Sequence, residues 1–80
     1  MKIQILFFGI LKDIVGKNTL EITEEEGTSI AALKAALLER YTKLNDFSNF
    51  SIAVNEEYVT TNYRLKANDT VALIPPVSGG

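Results

Sequence analysis

One run near the N-terminus, Ile3-Gln4-Ile5-Leu6-Phe7-Phe8, limits what this chain can fold into more than any other. It alternates as a β-strand does: Ile3, Ile5 and Phe7 fall on one face, Gln4, Leu6 and Phe8 on the other. The first set suits a core. The second is not polar either, because Leu6 and Phe8 are large. A strand that is apolar on both sides lies centrally in a sheet, has its second face covered, or offers that face to another molecule.

The rest of the chain supplies partners for such a strand in a definite order. Gly9 breaks it, and Ile10, Leu11, Ile14 and Val15 then fall at helical spacing around Lys12 and Asp13, which predicts one short helical turn plugging an end of the core. Gly16-Lys17-Asn18 is a turn signal, and Thr19 to Ile22 alternates again with Leu20 and Ile22 inward, as an antiparallel partner for the first strand. Glu24-Glu25-Glu26-Gly27 reads as a solvated acidic loop, placed where negative charge complements the start of a helix dipole. Thr28 or Ser29 caps that helix, whose stripe Ile30, Leu33, Leu37, Tyr41 and Leu44 predicts a single long element ending near Lys43. A connecting loop over Asn45 to Asn49 is expected to be anchored by Phe47 and Phe50.

Ser51 to Asn55 reads as a strand, Glu56-Glu57 as a turn and Tyr58 to Thr60 as a short return strand. Leu65 is the inward residue of a crossing segment, and Asn68-Asp69 suits a tight turn because Asn tolerates positive φ. Thr70 to Ile74 forms the last strand, with Val71 and Leu73 on one face and Ala72 and Ile74 on the other. The order ββαβ-(short β)-β is an α+β layout. With the first and last strands central and parallel it becomes a single-domain β-grasp, the ubiquitin-like roll: a mixed sheet packed on one main helix. The expected division is a domain over residues 1–74 and a flexible, extended tail over residues 75–80.

Composition narrows the function. With 80 residues and 46% of them hydrophobic, the chain makes one small domain with enough apolar material to fold alone. It contains no cysteine, so disulfides, thiolate catalysis and Cys-based zinc sites are excluded, and no histidine, so the commonest general base and metal ligand is missing. No metal site and no stably bound cofactor are expected. A net charge of −2 offers no basic footprint for nucleic acid. No window approaches the ~18 apolar residues of a membrane helix, and Gln4, Lys12 and Asp13 interrupt the N-terminal apolar run, so it reads as a strand rather than a signal peptide and the protein as cytoplasmic.

The chemistry is expected in the tail, Pro75-Pro76-Val77-Ser78-Gly79-Gly80. Pro75 and Pro76 cannot donate to a ladder and favour extended backbone, so they end the sheet and aim the remainder away from it. Ser78, Gly79 and Gly80 leave almost no bulk at the tip, which suits a narrow channel in a partner. A terminal carboxylate is a poor acyl donor. Adenylation would turn it into a mixed anhydride with a good leaving group, which a sulfur donor could convert into a thiocarboxylate or an amine into an amide.

Leu6-Phe7-Phe8-Gly9, Lys12-Asp13-Ile14-Val15-Gly16, Ala53-Val54-Asn55, Leu65, Asp69 with Val71, and Pro75 to Gly80 together resemble the small, sulfur-carrying subunit of molybdopterin synthase, a ubiquitin-like family. The resemblance runs from end to end. It implies that Gly80 is adenylated, transiently carrying AMP, by a ubiquitin-activator-like adenylyltransferase that uses ATP, and then carries sulfur as a thiocarboxylate, with Gly79 its slender neighbour. It further implies a tail inserted into the large synthase subunit, in a heterotetramer of two small and two large chains, delivering sulfur to cyclic pyranopterin monophosphate for molybdenum cofactor biosynthesis. The small chain would then be no enzyme on its own. Leu6, Phe8, Lys12, Ile74, Pro75, Pro76, Val77 and Ser78 are the expected partner-binding residues. Lys12 stands where the family often has Arg, Asn68 where Gly is usual and Ile74 where an aromatic is common. The same tail would also serve a carrier for thiazole synthesis or tRNA thiolation, or a ubiquitin-like modifier joined to lysines. A pure interaction module would need only the apolar strand face and the acidic loops.

Overall fold

The computed structural model describes residues 1–47 and 49–76. Five strands form one mixed sheet in the order β2-β1-β5-β3-β4. β1 (Lys2–Phe7) pairs antiparallel with β2 (Thr19–Thr23) and parallel with β5 (Thr70–Ile74). The strand that is apolar on both faces is therefore central. β3 (Ser51–Val54) closes the other side of β5 antiparallel and carries the two-residue edge strand β4 (Glu57–Tyr58).

The register places the inward residues in rows. Ile5 sits between Leu20 and Val71, and Val71 faces Val54; Phe7 faces Leu73, which faces Ile52. All seven of these side chains are buried. The helix α2 (Ile30–Arg40) supplies Ile30, Leu33 and Leu37 to the same core. Each large side chain taken fully out of water contributes about 1.5–3 kcal/mol, which is what a domain this small depends on. Ser29 caps α2, its Oγ accepting from the Ala32 N–H at 3.1 Å. The crossing segment pins the approach to that cap: the Leu65 N–H donates to the Thr28 carbonyl and the Gly27 N–H to the Leu65 carbonyl, at 2.8 and 3.0 Å. The short helix α1 (Ile10–Val15) caps one end of the core through Leu11 and stops at Gly16 in the left-handed conformation.

Four expectations need correcting. α2 ends at Arg40 rather than near Lys43. Tyr41 leaves helical geometry, and a 3-10 helix over Thr42–Phe47 follows, so Leu44 reaches the core from a tighter turn instead of from the stripe. The Asn45 side-chain amide holds that turn, donating to the Thr42 carbonyl at 2.9 Å, as short polar side chains do when they compete with helix. The same turn carries Phe47 outward, 37% exposed, so Phe50 alone of the two anchors the connection. The β3–β4 turn is Asn55-Glu56, both at positive φ (50° and 72°), rather than Glu56-Glu57. Val54 pairs with Glu57 across it, and the return strand is Glu57–Tyr58 rather than Tyr58 to Thr60.

Candidate functional site

The face of the sheet turned away from α2 carries the second set of alternating residues. Leu6 faces Ala72, Ala72 faces Ala53, and Ala53 faces Tyr58, one row across four strands. In the next row Ile74 pairs with Ser51, and Phe8 follows β1 beside it. Together they line an open groove of about 620 Å³ whose far rim is Asn55, Glu56 and Thr70. The two alanines make its floor low, and the large side chains make its walls. Phe8 is 47% and Tyr58 71% exposed, so this apolar surface is left open by the described residues. Leu6, Phe8 and Ile74 are thus brought together in one groove.

Lys12 lies elsewhere. It is exposed on α1 and borders a second hollow, of about 370 Å³, with Leu6, Phe8, Gly9 and Asn18. The two hollows share Leu6 and Phe8, so a partner covering the groove could reach the Lys12 ammonium at its margin. Pro75 continues directly from β5, half-buried, and Pro76 is exposed. Val77, Ser78, Gly79 and Gly80 lie outside the described residues.

One polar cluster braces the rim of the groove. Asp69 is buried, 5% exposed, at the turn before β5. Its Oδ1 accepts from Asn55 Nδ2 at 2.9 Å; its Oδ2 accepts from the Lys66 N–H at 2.8 Å and from the Tyr63 hydroxyl at 3.3 Å. Asn55 Oδ1 accepts in turn from the Thr70 N–H at 3.0 Å. The β3–β4 turn is thereby tied to the start of β5. Partial burial raises the Tyr63 hydroxyl above its ordinary pKa of 10.0, with the Asp69 charge and hydrogen bond, then Glu57, adding to the rise.

The groove is lined mainly by apolar side chains, with Glu56 and Tyr58 its titratable members. Among the described residues no group of three or more His, Cys, Asp or Glu side chains could hold a metal ion, so the acidic loop Glu24 to Glu26 does not converge into a site. No helix among the described residues is long and apolar enough to cross a membrane. The arrangement can bind an apolar protein surface. Ala53, Ala72 and Tyr58 were not among the expected docking residues. Ala72 shares the alternation of Ile74 and could have been named from it, whereas Ala53 and Tyr58 join the groove only through strand pairing.

Comparison with known proteins identifies relatives along the whole chain. The model of the ThiS family matches residues 5–80. The molybdopterin synthase sulfur carrier subunit of Dictyostelium discoideum is 34% identical over 82 residues, covering 96% of this chain and 94% of that protein. A solved structure from Pyrococcus furiosus, assigned to subunit 1 of molybdopterin converting factor, superposes with a TM-score of 0.88 at 27% identity, covering 96% of this chain and 99% of the other. Subunit 1 in the Helicobacter pylori complex of molybdopterin-converting factor subunits 1 and 2 superposes with a TM-score of 0.74 at 28% identity, each chain covered completely.

Proposed function

The chain belongs to the ThiS family, with molybdopterin synthase sulfur carrier subunits among its relatives, and on that premise we propose that it carries sulfur on the C-terminal carboxylate of Gly80 for molybdenum cofactor biosynthesis. The observation that carries the proposal is positional. Ile74 is a wall of the apolar groove and the last residue of β5, and the Pro75-Pro76 stem leaves from it directly. A protein seated on the groove would therefore sit beside the origin of the tail.

Each part of the chain has a separate task in this reading. Leu6, Phe8, Ala72, Ile74 and Tyr58 dock the partner by burying apolar area. The prolines restrict the exit, and the small residues Ser78 and Gly79 let the tip enter a narrow channel. Gly80 supplies the reacting group. A carboxylate oxygen attacks the α-phosphorus of ATP in a ubiquitin-activator-like adenylyltransferase, and pyrophosphate leaves. Hydrosulfide then attacks the acyl carbon, AMP leaves, and a thiocarboxylate remains. Inside the large synthase subunit that sulfur passes to cyclic pyranopterin monophosphate, and water returns the carboxylate. The complex holds two small and two large chains. The small chain has no catalytic side chain of its own in this scheme and is recharged between deliveries.

The experiment is intact-mass analysis after co-expression with the adenylyltransferase and a sulfur source. The expected product is heavier by the difference between sulfur and oxygen, localised to Gly80. A chain that stays at its unmodified mass under sulfur-replete conditions would overturn the proposal, and di-glycine remnants on lysines of other proteins would redirect it to protein modification.

A further inference from the structure

We infer that Gly9 is a positioning residue for the tail: its bare α-carbon is the seat on which the Pro75 ring rests, and that seat sets the direction in which the last residues leave the sheet. The inference rests on the carrier reading above, because it matters only if the tail does work.

The register leads to it. β1 and β5 run parallel, with Phe7 opposite Leu73, so Gly9 and Pro75 are the pair that follows next but one. The ladder cannot continue there, because Pro75 has no N–H to donate. A steric contact replaces it. A Cβ added to Gly9 would stand 3.0 Å from Pro75 Cγ and 3.8 Å from Cδ. Real Cβ atoms essentially never come closer than that first distance, so any other residue would press on the ring and make it give by a few tenths of an ångström. Gly9 also has φ 55° and ψ −135°, a conformation open to glycine and strained for L-residues. Gly16 and Gly27 share the positive φ but have nothing within 4 Å of an added Cβ. Of these three, only Gly9 combines the backbone requirement with a neighbour.

The neighbour is the stem of the reactive tail. Five residues follow Pro75, and extended they span at most about 17 Å, so a tilt of about 15° at the stem would move the terminus by about 4 Å. Misplacement of about 1 Å can cost as much as about a hundredfold in rate when the reacting group must meet a fixed site. A rigid seat at the exit is therefore worth having even though it lies far from the carboxylate.

The test uses the full-length chain and measures steady-state loading of sulfur by the adenylyltransferase with ATP and sulfide, read by intact mass. Gly9→Ala pushes the ring aside and is expected to lower kcat by about ten- to a hundredfold, with KM changed by less than about threefold because the groove is intact. Pro75→Ala removes Cγ and Cδ and is expected to lower kcat by less, with melting temperature unchanged. In the double variant the alanine methyl meets no ring and only the backbone strain at position 9 remains, so its kcat should lie well above the product of the two single effects. Gly16→Ala, at the other end of α1, should lower melting temperature and leave kcat unchanged. Effects of Gly9→Ala and Pro75→Ala that multiply, a Gly9→Ala chain that loads at the wild-type rate, or a Gly16→Ala chain that loads as slowly as Gly9→Ala would each overturn the inference. If Gly9→Ala does not fold, Pro75→Ala decides, and an unchanged kcat refutes the seat. A wild-type chain that never gains sulfur sinks the carrier reading instead; the seat is then judged by the nuclear Overhauser contact between Gly9 Hα and Pro75 Hγ, whose absence refutes it.

Discussion

Asp69→Asn is the smallest change that tests the polar brace beside the groove, since it alters one atom and no volume. Four donors converge on this cluster: Asn55 Nδ2, the Lys66 N–H and the Tyr63 hydroxyl on Asp69, and the Thr70 N–H on Asn55 Oδ1. A carboxylate accepts from three of them without having to donate. An amide at 69 brings one oxygen and an NH2. With the oxygen toward Lys66 and Tyr63, the NH2 opposes Asn55 Nδ2, and flipping Asn55 to relieve it strands the Thr70 N–H. With the oxygen toward Asn55, the NH2 opposes the Lys66 N–H. Every arrangement leaves a donor unmatched, which costs about 1–3 kcal/mol, and the remaining bonds lose their charge assistance, so the total is about 2–4 kcal/mol. At about 4–8 °C per kcal/mol for a domain of this size, the melting temperature should fall by about 8–32 °C. Urea titration measures the loss directly, with the slope of the transition unchanged. The second arm is the exchange Asn55→Asp with Asp69→Asn. The amide now at position 69 would accept from Lys66 and Tyr63 and donate to the carboxylate now at position 55, whose other oxygen accepts from Thr70, so the pair should recover most of the stability. A double variant as weak as the sum of its single changes, or an Asp69→Asn chain within about 0.5 kcal/mol of wild type, would refute the reasoning.

Three further outcomes are expected. Tyr63→Phe should cost stability at neutral pH through the lost bond to Asp69. Because the Tyr63 pKa is raised in the fold, the stability its neutral hydroxyl adds is fully present below pH 10.0 and lost as pH climbs beyond it, so the wild-type lead over the variant should shrink in alkaline urea titrations; a lead that grows there contradicts the assignment. Glu56→Gly relieves a left-handed glutamate in the Asn55-Glu56 turn and creates the Asn-Gly pair such turns favour, so it should stabilise by about 0.5–1 kcal/mol, and a lowered urea midpoint would count against the turn geometry. Phe8→Ala, at a half-exposed position, should cost the fold less than about 1 kcal/mol yet weaken binding of the large synthase subunit about thirtyfold or more, as a hot-spot residue does, and calorimetry showing unchanged affinity would remove Phe8 from the interface.

What could be read from the sequence was whatever a residue's own alternation or backbone preference reports. The two apolar faces of β1 implied its central place, and Asn68 declared its positive φ through the side chain that tolerates it. The misread places depend on hydrogen bonds that side chains make to the backbone or to other segments. Asn45 bonds the Thr42 carbonyl in the turn that follows the helix, and nothing in the spacing of Tyr41 and Leu44 reveals that. Glu56 occupies a left-handed position that its residue type disfavours, because Asn55 is fastened on both sides to Asp69 and Thr70 and the turn must form where that fastening puts it.

The same distinction separates the two halves of the candidate site. The tail is read only from residue types in order, prolines and then small residues, and so needs no fold to state it; Val77 to Gly80 lie outside the described residues. The apolar groove was legible only in its walls. Leu6, Phe8 and Ile74 are conspicuous as large residues with no inward place, whereas the floor consists of Ala53 and Ala72, conspicuous only once β3 and β5 are paired. Larger side chains there would fill the groove and leave a convex face. Gly9 belongs with the floor. Its closeness to Pro75 comes from the parallel pairing of the first strand with the last, a long-range contact that the groove needs as well.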